Sequence, residues 1–262
     1  MRFHARWIRI WALPGMLLLS TAVVWHCSFA EEPASNKVST WVDGLTRSGH
    51  LKVEYYDPAR PPKPYPGWTQ FEFSLDYRYE YRMDWTPRKA GGVAVVVTPD
   101  FQQLDLPVLH RVQLPMTLKS NRWFETGLGR HELDHVRVGM HPRLAMLGKH
   151  LMSKVRRLDG IVNQPDDVTQ AWVQKRVDAE MAPRRDAIQA LVLAINSKLD
   201  TLTNHGATEL PEREEFLSKL YLKENLDEMK FPYLPQALDL ISKPEYQRVR
   251  IQLQQVDPPS NK

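Results

Sequence analysis

Residues 131–143 have the sequence HELDHVRVGMHPR, which begins with the pattern H-E-x-x-H. On an α-helix, side chains four residues apart lie on the same face, so His131 and His135 can bind one metal ion. Glu132 follows the first histidine and would accept a proton from a water molecule on that metal. The pattern therefore predicts a helix that carries a catalytic zinc site.

Apolar residues surround this pattern at helical spacing. Phe124, Leu128 and Val138 recur with the two histidines at intervals of three and four residues, which indicates a stripe that faces the core. Ser120 or Asn121 is predicted to cap the start of the helix. The alternative is an amphipathic helix with two hydrogen-bonded core histidines. The adjacent glutamate favours the metal, because burying all three polar groups without one is costly.

Residues 1–30 have the features of a secretory signal peptide. Three arginines precede an apolar run at residues 10–25, and residues 28–30 (Ser-Phe-Ala) match the small-x-small cleavage pattern. Cleavage there would leave a mature chain that begins at Glu31. An uncleaved membrane anchor is the alternative, although a Pro-Gly pair interrupts the apolar run. We therefore expect a secreted or periplasmic protein of the bacterial cell envelope.

Composition excludes several classes of function. Without residues 1–30, which hold three arginines and no acidic residue, the 35 basic residues fall to 32, against 31 acidic ones. This near-neutral balance gives no indication of nucleic-acid binding, and membrane contact is expected only through an uncleaved N-terminal segment. Cys27 is the only cysteine. Cleavage would therefore exclude a disulfide, a thiol nucleophile and a cysteine-bound zinc.

The segment before the H-E-x-x-H helix is predicted to be β-structure. Between Phe71 and Trp85, apolar and aromatic residues alternate with charged or polar ones, which predicts one long strand with one face on the core. Gly91-Gly92 then leads into a valine-rich strand at residues 93–98. Pro99 is predicted to begin a region of short extended pieces.

The segment after that helix is predicted to be mostly helical. One helix has an apolar stripe from Leu144 to Leu158, and another is predicted at residues 168–181. Pro183 is expected to end the second of these, and a third amphipathic helix at residues 188–202 is expected to stop near Gly206. Together these patterns predict an α+β fold with an antiparallel sheet packed on the H-E-x-x-H helix.

A catalytic zinc usually has three protein ligands and one open position, so a third ligand is needed. His141 lies ten residues after His131, but Val138 occupies the position where the corresponding metzincin pattern has glycine. His205 falls where the stripe of the last predicted helix would continue inward, and Gly206 follows it. The residues favour His205 and leave His141 as the alternative.

HELDH and a later segment together resemble the bacterial secreted family called domain of unknown function 922. The later segment is Leu199-Asp200-Thr201-Leu202-Thr203-Asn204-His205-Gly206. Members of that family look like zinc-dependent peptidases with an H-E-x-x-H helix and a later Y-D-x-x-T-x-H-G segment. The resemblance covers about residues 67–206. In this chain leucine replaces the tyrosine of the later segment, the cysteines common in the family are missing, and Pro142 interrupts a helix that usually continues.

The resemblance implies a set of roles for the later segment. It implies that His205 is the third zinc ligand, and that Asp200 orients one of the zinc-binding imidazoles without itself binding the metal. For Asp200, an ordinary solvated helix residue is the alternative. The expected organisation is a zincin-like domain at residues 31–206, followed by a C-terminal helical extension and tail at residues 207–262.

These expectations predict a secreted zinc metallopeptidase that acts on peptide or protein substrates. Zinc would activate a water, and Glu132 would accept its proton and pass it to the leaving amine. The substrate would bind as an extra strand along a sheet edge. One alternative is a non-catalytic zinc-binding envelope protein that binds a partner through its sheet or tail. Another is a zinc hydrolase that cleaves a different bond. Glu132 favours an enzyme, because a structural zinc needs no base.

Overall fold

The structure is a computed structural model that describes residues 6–7, 34–59 and 65–249. The predicted signal peptide lies outside these residues, except for Arg6 and Trp7, and the end of the predicted tail also lies outside them. No helix within the described residues is both long enough and apolar enough to cross a membrane.

The described residues combine strands and helices, which confirms the predicted α+β class. Short 3-10 turns lie at Met116–Leu118, Trp123–Glu125 and Pro165–Asp167. The strands and α-helices follow in the order β1 (Arg6–Trp7), α1 (Ala34–Arg47), β2 (Leu51–Tyr56), β3 (Trp68–Phe73), β4 (Asp76–Pro87), β5 (Val93–Asp105), β6 (Val108–Pro115), α2 (Gly127–Gly139), α3 (Pro142–Ser153), β7 (Leu158–Val162), α4 (Gln170–Thr203), α5 (Arg213–Lys219), α6 (Lys223–Glu228), α7 (Leu234–Ile241) and α8 (Pro244–Gln247).

The strands form two small sheets. The first has the order β1-β4-β5-β7, and all of its neighbouring strands are antiparallel. The second has the order β2-β6-β3, in which β3 is antiparallel to β6 and β2 is parallel to it. The predicted antiparallel pairing is therefore confirmed for every pair except β2 and β6. It also follows that β3 lies at an edge of its sheet.

The alternating segment predicted as one strand is divided between the two sheets. β3 and β4 pair with successive strands in one register, because Phe73 faces Val108 and Asp76 faces Asp105. Two residues on each of the two facing segments separate the pairing of β3 with β6 from the pairing of β4 with β5. Pro107 lies in this gap and has no N–H to donate to a ladder. The alternation was predicted correctly. The prediction of a single continuous strand was wrong, because the break depends on a proline in the segment that pairs with it.

Two breaks predicted at prolines do not occur. β5 continues through Pro99, which lies beyond Val93–Val97, the part of β5 that pairs with β7. The proline therefore lies where the strand has a neighbour on one side only, a position that tolerates it. α4 continues through Pro183, although a proline inside a helix costs about 3 kcal/mol. Eight buried valine, leucine, isoleucine and methionine side chains of α4 outweigh that cost, because each contributes about 1.5–3 kcal/mol.

The start of α2 differs from the prediction. Thr126 is the N-cap, and its Oγ1 accepts a hydrogen bond from the N–H of Gly129 at 3.0 Å. A Cβ at Gly129 would come within 1.9 Å of the Trp123 carbonyl oxygen, so this tight entry requires glycine. The predicted caps, Ser120 and Asn121, lie before the 3-10 turn that precedes the helix. The predicted helix was correct, but its cap was wrong.

The apolar core consists of three adjoining clusters. The largest lies between α3, α4 and the C-terminal helices α5–α8. A second joins α1, β2, β6 and α2, and a third lies between the first sheet and the N-terminal half of α4. α3 ends at Ser153, and Leu158, predicted as the end of its stripe, instead begins β7.

Arg143 joins the C-terminal helices to the rest of the core. Its fully buried guanidinium donates hydrogen bonds to the carbonyl oxygens of Ser218 (2.6 Å), Leu220 (3.0 Å), Tyr246 (3.0 Å) and Gln247 (2.8 Å). These carbonyls lie at the C-terminal ends of α5 and α8, so one side chain caps both helices. The C-terminal helical extension therefore shares the core of the domain.

His110 is buried between β6 and α2. Its side chain is fully buried, and a Cβ at Gly139 in α2 would come within 2.3 Å of its Nε2. Neither ring nitrogen has a hydrogen-bond partner among the residues that the structure describes. Burial lowers the pKa of His110 to about 3. The imidazole is therefore neutral in the folded protein near neutral pH.

Candidate metal centre

Three side chains place one ligand atom each at a common point. Nε2 of His131 and Nε2 of His135, one turn apart on α2, are 3.2 Å from each other. Oδ1 of Asp200 on α4 lies 3.2 Å from the first and 3.0 Å from the second. Ligands bound at 2.0–2.1 Å to tetrahedral zinc are about 3.3 Å apart. The three atoms therefore have the spacing of one face of a zinc tetrahedron, and they form a group close enough to bind a metal ion.

Hydrogen bonds that the two imidazoles donate to side chains of α4 fix them in the tautomer that binds a metal. Nδ1 of His135 donates to Oδ1 of Asn196 at 3.1 Å. Nδ1 of His131 is 3.2 Å from Oγ1 of Thr203, whose hydroxyl donates to the Leu199 carbonyl at 2.9 Å. The threonine oxygen must therefore accept the histidine proton. With both protons on Nδ1, both Nε2 lone pairs face Asp200 and the common point.

The centre carries negative charge that favours a bound cation. Burial alone would raise the pKa of Asp200, but the His131 and His135 rings beside it hold that pKa well below the ordinary value. Burial opposes charge on His135, yet Asp200 and Glu132 raise the pKa of this imidazole. Two imidazoles and a carboxylate are also donors that zinc binds in proteins. The donor set therefore fits zinc.

Glu132 lies beside this group and is held by β3 and the residue before it. Its side chain is 2% exposed, and Oε2 accepts a hydrogen bond from Oγ1 of Thr69 at 2.6 Å. A Cβ at Gly67 would come within 2.1 Å of Oε1, so only glycine allows the backbone to lie this close. Burial raises the pKa of Glu132, a direction that suits a base working near neutral pH.

His205, predicted as the third ligand, lies next to the group of three but outside it. Its Nδ1 is 3.8 Å from Oδ1 of Asp200, and its side chain is 37% exposed. The ring stacks on Tyr65, with ring centroids 3.8 Å apart and an interplanar angle of 21°. Gly206 follows with a φ of +80°, and a Cβ there would come within 2.8 Å of His131. The structure thus brings Asp200, expected to orient an imidazole or else to be a solvated helix residue, into the group of three.

His141, the alternative third ligand, lies in a different environment. It is the N-cap of α3, where Nδ1 accepts a hydrogen bond from the N–H of Arg143 at 3.1 Å. Its ring is buried and contacts the ring of Tyr221 edge-on, with centroids 5.5 Å apart. This histidine therefore faces the core.

The sequence itself contains a pattern that marks Asp200 as part of a polar site. It lies four residues after Asn196 and three before Thr203, so all three side chains share one face of α4. Asn196 and Thr203 hold the two histidines, and Asp200 is placed between them. Three polar residues at this spacing share one face of the helix, which indicates a polar site on that face.

The group lies in an open cleft of about 640 Å³. One wall is residues 65–72, which comprise β3 and the loop before it, and the opposite wall is the face of α4 that includes Leu193 and Asp200. The histidines and Glu132 of α2 lie between these walls. Clefts of this size are typical of sites for small molecules or short peptide segments.

Comparison with known proteins identifies no relative. The chain matches no family model, no curated protein and no solved structure. Its function is therefore inferred from the residues and geometry of this centre.

Proposed function

We propose that this chain is a zinc-dependent metallopeptidase with a zincin-like domain, in which His131, His135 and Asp200 hold the zinc. The observation that supports this most directly is the triangle of ligand atoms beside the buried carboxylate of Glu132. A purely structural zinc prefers four protein ligands and needs no base, whereas this group has three ligands, a base and an open cleft. The resemblance to domain of unknown function 922 implies the same zinc chemistry but a different third ligand, His205.

The residues of the cleft have distinct tasks in peptide hydrolysis. Zinc, when bound, would lower the pKa of a water molecule and polarise a carbonyl group. Glu132 accepts the proton of the attacking water and transfers it to the leaving amine. Thr69 holds the carboxylate in position through its 2.6 Å hydrogen bond. Asn196 and Thr203 keep the imidazoles oriented by accepting their Nδ1 protons.

A peptide substrate fits the edge position of β3. This strand is the last one in the β2-β6-β3 sheet, and it lines the cleft beside Glu132. An extended peptide can pair with such an edge through backbone hydrogen bonds, while its side chains enter neighbouring pockets. The scissile bond would then pass over the metal group. The substrate class is therefore an extended peptide or an exposed segment of a protein.

Replacing Glu132 with glutamine tests this proposal. The variant keeps the size of the side chain but cannot accept a proton, so hydrolysis should fall about a hundred- to ten-thousand-fold while zinc content stays unchanged. The assay incubates zinc-loaded protein with a diverse peptide library and identifies products by mass spectrometry. Glu125→Gln is the matched control, because this carboxylate pairs with Arg122 on the surface.

Two outcomes would contradict the proposal in different ways. Zinc-loaded wild type that cuts no peptide would instead support the non-catalytic zinc-binding protein. Full zinc occupancy after both α2 histidines are changed to alanine would remove the metal assignment itself. We also propose that residues 1–30 direct export to the cell envelope, in which case mass spectrometry of the mature protein finds Glu31 at its N-terminus.

A further inference from the structure

We propose that His205 is a catalytic residue that contacts the substrate, and that Tyr65 holds its ring in position. In this assignment His205 donates a hydrogen bond to the oxygen of the scissile carbonyl as negative charge develops on it. The inference rests on the proposed function and gives a role to the one histidine of the cleft that lies outside the metal group.

His205 lies outside the group of three ligand atoms but inside the cleft. Oδ1 of Asp200 is already 3.0–3.2 Å from two histidine nitrogens, whereas Nδ1 of His205 is 3.8 Å from it. The His205 ring lines the cleft and is 37% exposed, in contrast to the two buried histidines of α2. A molecule in the cleft can therefore touch this imidazole directly.

The backbone holds His205 in a fixed place. Asn204 and His205 both have left-handed conformations, with φ of 46° and 53°, which non-glycine residues adopt at an energetic cost. The N–H of His205 donates to the Asp200 carbonyl at 2.9 Å, and the N–H of Thr208 donates to the Thr203 carbonyl at 2.9 Å. Gly206 then packs on the His131 ring. The turn thus fixes His205 relative to two ligands.

The loop that follows is anchored to α2 as well. Nε of Arg213 donates to Oδ2 of Asp134 at 2.9 Å, and Nη2 donates to Glu209 at 3.0 Å. Asp134 is 1% exposed and lies within the HELDH segment itself. The turn that carries His205 is therefore attached at both ends to elements of the metal centre.

Tyr65 fixes the remaining freedom of the His205 side chain. Its ring stacks nearly parallel on the imidazole from the opposite wall of the cleft. A neutral imidazole has one N–H to donate. A donor already oriented toward developing charge stabilises a transition state without reorganisation at the moment of reaction. A stacked, half-exposed histidine beside a metal group provides such a donor.

Two affinities measured on the zinc-loaded full-length protein test this assignment. The first is the zinc affinity, measured by competition with a chromophoric chelator. The second is the affinity for acetohydroxamate, a small probe that binds zinc and places anionic oxygen in the cleft. The variant is His205→Asn, because asparagine tolerates the left-handed backbone but is too short to replace the ring. Circular dichroism checks that each variant folds.

The assignment predicts that the affinity for acetohydroxamate changes while the affinity for zinc does not. His205→Asn should bind acetohydroxamate at least about tenfold more weakly, since a hydrogen bond to a charged group is lost, and zinc affinity should change less than about threefold. Tyr65→Phe keeps the stack and should behave as wild type, whereas Tyr65→Ser should reproduce part of the loss. His150→Asn, on α3 and paired with Asp239, is the control and should change neither affinity.

Other results would overturn the assignment. A loss of zinc affinity of about tenfold or more in His205→Asn would make this residue a partner of the metal, directly or through Asp200. Unchanged affinity for both zinc and acetohydroxamate would show that His205 contacts neither. The test does not require peptide hydrolysis. If His205→Asn weakens acetohydroxamate binding but not zinc binding in a protein that cuts no peptide, the role of His205 is supported while the proposed peptidase activity is contradicted.

Discussion

Replacing His110 with leucine should make the folded protein less sensitive to acid. The pKa of His110 is about 3 in the folded protein, against 6.5 for the ordinary imidazole. Below pH 6.5 the unfolded chain therefore binds a proton that the folded protein does not bind. Folding stability consequently falls as the pH decreases, by about 1.4 kcal/mol per pH unit, until the folded pKa is reached. Between pH 7 and pH 5 this amounts to about 2 kcal/mol.

Urea unfolding at pH 7 and pH 5, with a chelator present, measures this difference. Wild type should lose about 2 kcal/mol more of its free energy of unfolding than His110→Leu over this interval. Val112→Ala is the control, because Val112 is a buried residue two positions along the same strand and does not titrate. It should lower stability by the same amount at both pH values. An identical pH dependence in wild type and His110→Leu would refute the reasoning, since His110 would then take up its proton without unfolding.

Two further changes test the support of the metal centre. Thr203→Val removes the oxygen that accepts the His131 proton and should weaken zinc binding about ten- to a hundredfold, as judged by chelator competition. Thr201→Val removes a hydroxyl that donates to the Ser197 carbonyl on the exposed side of α4, and it should leave that affinity unchanged. Gly206→Ala and Gly49→Ala both place alanine at a positive φ, so each should lower the unfolding free energy by about 1 kcal/mol. Only Gly206→Ala should also weaken zinc binding, because the new Cβ would press on His131 while the space around Gly49 is empty; equal zinc affinities in the two variants would contradict this.

The sequence predicts correctly those features that depend on the spacing of residues within one helix or one strand. The i, i+4 spacing of His131 and His135 places both on one face of α2, and their Nε2 atoms do face each other. The alternation from Phe71 to Trp85 likewise predicts extended structure with one face inward. The predicted zinc, peptidase activity and export remain predictions.

The remaining features depend on contacts between distant parts of the chain. The alternating segment divides at the point where Pro107 lies in the segment that pairs with it. Pro183 is accepted because the apolar face of α4 packs along its whole length. Asp200 comes within 3.2 Å of both histidine nitrogens because of the way α4 lies against α2, a relation that spacing within either helix does not contain. The same holds for His110, whose burial results from the close approach of Gly139.

The bonds of Arg143 make completion of the core depend on α8. This side chain belongs to α3, which directly follows the HELDH helix, yet two of its carbonyl acceptors are Tyr246 and Gln247, about a hundred residues later. A buried guanidinium without its acceptors is strongly destabilising. Because a chain is synthesised from its N-terminus, the helix that carries the histidines emerges long before these partners. Until α8 has been made, the buried guanidinium lacks two of its four acceptors, so a fragment that ends before α8 has an incomplete core.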